Sequence, residues 1–61
     1  MSRPVKVVEA HTELNEAFSK ILRLAIHLGL SSTHNKLMEI RTFMSRTIDH
    51  DPSKLAMWRK S

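Results

Sequence analysis

The sequence predicts an all-α protein: an antiparallel helical hairpin, a short C-terminal helix and an extended N-terminal arm, paired into a dimeric four-helix bundle. Three observations carry that expectation. Apolar residues recur at helical spacing on both sides of position 29, the single glycine of the chain sits at that position near the midpoint, and the apolar stripe before it is wide. The 61 residues suffice for one small domain. Folded alone, a chain of this size buries only about 60% of its unfolded surface and is marginally stable. Cysteine is absent, so neither disulfides nor thiolate metal sites can act as staples. Self-association is the remaining source of stability.

Residues 1–8 carry Pro4 and the β-branched run "VKVV" without a helical period, and read as the extended arm. The first helix is expected over 9–28, with Thr12 or a residue nearer Glu9 at its start. Leu14, Phe18, Ile21, Ala25 and Leu28 follow a 4-3-4-3 spacing, and Ala17, Leu22, Leu24 and Ile26 widen the stripe. A left-handed residue is then needed to end the helix, and only glycine enters that region without steric cost, so Gly29 marks the bend. Leu30 stands where a residue folds back on the last turn in a Schellman ending, and Ser31 or Ser32 can cap the next helix. A connection this short makes the two helices antiparallel neighbours.

The second helix is expected over 33–49, with Leu37, Ile40, Met44 and Ile48 on one face and Met38 and Phe43 pointing elsewhere. Pro52 disfavours helix at Asp51, and the pair opens a short third helix over 52–60 carrying Leu55 and Trp58. The first stripe covers an arc of about 200°, wider than a two-helix seam requires. Its surplus is the argument for a second copy. The expected core and dimer seam is therefore Leu14, Phe18, Ile21, Leu24, Ala25, Leu28, Leu37, Ile40, Met44 and Ile48.

Catalytic and metal chemistry find little support. His11, His27, His34 and His50 include no i, i+4 pair, so they read as solvated or end-of-helix residues, with no metal or cofactor expected. One glycine cannot build a phosphate loop. Asp51, Pro52 and Ser53 in "HDPS" are explained as a helix start, and a small bundle offers little pocket that excludes water. No apolar run reaches the length of a membrane span and the first ten residues lack a signal-like apolar core, so a cytoplasmic protein is expected.

Net charge is +4, which points to acidic partners or nucleic acid. The excess is larger after Gly29, where Lys36, Arg41, Arg46, Lys54, Arg59 and Lys60 face Glu39, Asp49 and Asp51. Arg41 and Arg46 fall on different sides of their helix and form no stripe. Off-stripe apolar side chains suit adaptable or aromatic anchors at a protein interface, so Met38, Phe43, Met57 and Trp58, with Arg59 for steering, are the expected partner contacts. The expected function is occupancy: a small non-enzymatic regulator that dimerises and binds another protein, with an acidic surface, to block or recruit it. Regulators of this length, bacteriophage inhibitors among them, commonly act in that way.

The stretch "LRLAIHLGLSSTHNKL", residues 22–37, resembles the ribbon-helix-helix family of dimeric DNA-binding repressors in its alanine before the turn, its Gly-Leu-Ser and its polar helix start. The resemblance implies an arm that pairs with that of a dimer mate and reads the major groove, here through Arg3 and Lys6. It also implies a phosphate clamp at Ser31, Ser32 and Thr33.

Overall fold

A computed structural model describes residues 4–58. Two α-helices, α1 (Val5–His27) and α2 (Ser31–His50), form an antiparallel hairpin, and a 3₁₀ turn, η1 (Pro52–Leu55), folds back against both. No strand occurs among the described residues.

The helix α1 begins at Val5, so the expected extended arm over 1–8 is corrected for Val5–Val8; residues 1–3 lie outside the described residues. Pro4 is the reason. Its ring sets φ at −56° with ψ at 146°, and its carbonyl accepts from the amides of Val7 at 3.1 Å and Val8 at 3.2 Å. Val7 and Ala10 then continue the period of Leu14 backwards and are buried, which offsets the modest helical cost of the valine run. Thr12 is consequently no cap. It lies inside α1, where its hydroxyl donates to the carbonyl of Val8 at 3.0 Å.

The turn forms as its chemistry requires. Gly29 has φ of +71°, its amide donates to Ile26 O at 3.0 Å, and the Leu30 amide donates to Ala25 O at 2.9 Å. Those two bonds are the Schellman pair. The helix α2 starts earlier than the expected residue 33, and Ser31 and Ser32 belong to its first turn rather than preceding it. Leu30 is the capping position: its carbonyl accepts from the His34 amide at 2.9 Å, and its apolar side chain has no acceptor with which to cap. Latch and helix start are the same residue.

Of the expected third helix over 52–60, the described residues 52–58 form a short 3₁₀ element and a further turn; residues 59 and 60 lie outside the described residues. Asp51 precedes a single 3₁₀ turn with Pro52 at its start, the Ser53 hydroxyl donates to the Asp51 carboxylate, and a further turn reaches Trp58. From α1, the Lys6 ammonium donates to the carbonyls of Leu55 at 3.3 Å, which also accepts from the Trp58 amide, and Ala56 at 3.0 Å.

The core is thin. Val7, Ala10, Leu14, Leu22 and Ala25 of α1 are buried, whereas no residue of α2 is. The face that α2 turns inward is only half-buried, and it mixes Leu37 and Ile48 with His34, Arg41 and Ser45. The radius of gyration is 13.4 Å, against about 10.5 Å for a compact domain of this length. An elongated hairpin with a one-sided core leaves two long flanks open.

Candidate functional site

The two flanks differ in chemistry. On one, an apolar groove of about 350 Å³ lies between the helices under η1. Ala10, Leu14, Ala17 and Phe18 form its α1 wall, Met44 and Ile48 its α2 wall, and Leu55 and Trp58 close one end. The groove continues toward the hairpin turn, because residues three and four apart stack on one helix face. From Ala17 the same face of α1 carries Ile21, Leu24 and Leu28, and one turn from Met44 the face of α2 carries Ile40. All five of those large side chains are exposed, Leu24 to 55%. The result is an apolar ladder along the whole flank.

The expected seam thus divides. Leu14 and Ala25 are buried and Phe18, Leu37 and Ile48 half-buried between the helices, but Ile21, Leu24, Leu28, Ile40 and Met44 are outside that contact. Val7, Ala10 and Leu22 belong to the core and were not in the expected set. Helical spacing contained their signal, since 7, 10 and 14 are in phase. The valine run concealed it.

On the opposite flank a cleft of about 370 Å³ has mainly polar walls. His11 and Asn15 come from α1, and Arg41, Thr42, Ser45 and Arg46 from two turns of α2. The His11 ring ties the helices together, with Nε2 2.9 Å from Asp49 Oδ1 and Nδ1 3.5 Å from Ser45 Oγ. A carboxylate only accepts, so Nε2 carries the proton toward Asp49, and a neutral ring then accepts from Ser45 through Nδ1. This bond is an ion pair whenever the imidazole is charged. The Thr42 hydroxyl is committed to Met38 O at 3.1 Å. Arg41 and Arg46, expected on different sides of α2, both line this cleft.

Ser45, His11 and Asp49 stand in the order of a nucleophile, base and orienting acid, but the surroundings fit a tether. Ser45 lies in the middle of α2, where backbone amides are spent on helix bonds, so an anion beside it would be met by the side chains of the cleft rather than by amides. The Ser45–His11 distance is at the outer limit of a hydrogen bond. Among the described residues no group of three or more His, Cys, Asp or Glu side chains is placed to hold a metal ion, and no helix is long and apolar enough to cross a membrane.

The expected partner contacts scatter. Met38 lines the polar cleft and, with Phe43, Glu39, Thr42 and Arg46, a shallow depression beside it. Phe43 is 71% exposed on the outer side of α2, and Met57 is exposed beyond η1. Trp58 is half-buried in the groove wall on the other flank, and Arg59 lies outside the described residues. The residues that the repressor resemblance implies also separate. Arg3 lies outside the described residues, Lys6 binds the carbonyls after η1, and Val5–Val8 are helix rather than the implied strand; Ser31, Ser32 and Thr33 are exposed in the first turn of α2. Comparison with known proteins finds no match: no family model, no curated protein and no solved structure matches this chain.

Proposed function

We propose that this chain is a non-enzymatic interaction protein that acts by occupancy, dimerising through the apolar flank and binding another protein with the surface left over. The observation that carries the reading is the ladder of Ile21, Leu24, Leu28, Ile40 and Met44, exposed together on one side of the hairpin. Single exposed apolar residues are ordinary, but a contiguous set marks an association surface. Area supports a second copy as its cover. The accessible surface is 5089 Å², whereas compact monomers of 7.1 kDa expose about 4,100 Å². The excess, about 1,000 Å², is close to the share of one partner in a standard interface, about 800 Å². Two hairpins joined face to face by a two-fold axis form a four-helix bundle.

Dimerisation leaves the opposite flank and the outer side of α2 open, with Phe43, 71% exposed, as an aromatic anchor. Light scattering at micromolar concentration tests the first half of the reading, and twice the chain mass is the expected result. For the second half, Phe43→Ala should weaken capture of a partner from a lysate of the native host while the helical circular dichroism stays intact. A compact monomer, or capture indifferent to Phe43, removes the corresponding half.

A further inference from the structure

The polar cleft presents cationic donors with nothing to receive them. The guanidiniums of Arg41 and Arg46 have no hydrogen-bond or ion-pair partner among the described residues, and Asn15 adds an amide from α1. The Thr42 hydroxyl is committed to Met38 O and that of Ser45 to the His11 ring, so the two guanidiniums and the Asn15 amide are the donors the cleft offers. The nearby carboxylate of Asp49 is engaged by His11. Arg41 is a half-buried residue of the inward face of α2 that lines the cleft, so an anion entering there meets a guanidinium with no ion-pair partner among the described residues. A guanidinium fork also matches the two oxygens of a carboxylate or phosphate better than an ammonium does.

We infer that this cleft binds an oxyanion, supplied by an acidic side chain of a partner protein. The inference names the chemistry of the partner in the reading above and rests on that reading for the source of the anion alone. A polypeptide fits better than a free ion because of what borders the cleft. Met38 and Arg46 line both it and the depression that holds Phe43, so charge and exposed apolar surface adjoin. An acidic segment with one apolar side chain satisfies both, and inorganic phosphate satisfies only the first.

The test is an amide-resolved NMR titration of the full chain with an acidic pentapeptide, four glutamates around one leucine, and in a second arm with inorganic phosphate alone. Saturable peptide shifts at the Asn15 side-chain amide, Ser45 and Arg46 are expected, weakening with added salt. Arg46→Gln should reduce the affinity about fivefold, and Arg41→Gln by at least as much. Arg46 is exposed, so its variant keeps the hairpin even if Arg41→Gln loosens it. Shifts that are diffuse, unsaturable or indifferent to both variants overturn the inference. Phosphate binding in the cleft without peptide binding overturns the assignment to a protein side chain. Light scattering on the same samples separates the two proposals: a dimer with an inert cleft sinks this one only, and a monomer with a responsive cleft sinks the dimer only.

Discussion

At the scale of single residues, the strongest constraint in the chain is conformational. A Cβ added at Gly29 meets nothing within 4 Å, so any loss on substitution comes from the backbone angle and not from a clash. At φ of +71° that loss is about 1–2 kcal/mol for alanine and smaller for asparagine, which tolerates the left-handed region. Denaturant unfolding should therefore rank the wild type above Gly29→Asn, and Gly29→Asn above Gly29→Ala. An alanine variant as stable as the wild type would show that the Schellman turn is not what fixes the hairpin. This residue was legible in the sequence because its requirement is local. His11 was not, since Ser45 and Asp49 stand 34 and 38 residues away and no spacing rule links them.

At the scale of elements, the start of α1 is where sequence and structure part. A valine run after a proline reads as strand when only local preference is weighed, yet helix propensity differs by well under 1 kcal/mol per residue among ordinary side chains. Burial decides it. Val7 is 5% exposed, whereas Val8 on the next position is half-exposed. Removing two buried methyls costs about 1.5 kcal/mol, so Val7→Ala should lower unfolding stability by that amount. Val8→Ala should stay within about 0.5 kcal/mol of wild type. Equal effects at the two positions would return the segment to an arm. The turn and both long helices were legible from periodicity and one glycine. The boundaries shifted because Pro4 and Leu30 cap through backbone carbonyls, which no side-chain pattern announces. The polar cleft was hidden for a related reason: Arg41 and Arg46 diverge on a helical projection, and packing against α1 brings both to the wall of one space.

At the scale of the whole molecule, the question is whether a core with five buried side chains among the described residues, all on one helix, sustains a fold by itself. Folding must offset about 1–2 kcal/mol of backbone entropy per ordered residue, and a seam lined on the α2 side by His34, Arg41 and Ser45 recovers less than an apolar one. If the ladder is covered by a second copy, folding and association are linked, and stability depends on protein concentration. A tenfold increase in concentration contributes about 1.4 kcal/mol per dimer, which should raise the melting temperature by roughly 5 °C. Leu24→Glu places a charge in the middle of the ladder but outside the hairpin seam, so it should abolish that dependence and lower the melting temperature at every concentration. Phe43→Glu, on the outer side of α2, should keep it. A melting temperature that is independent of concentration in the wild type, with Leu24→Glu indistinguishable from it, would mean that the thin core is sufficient and the ladder has no second copy to meet.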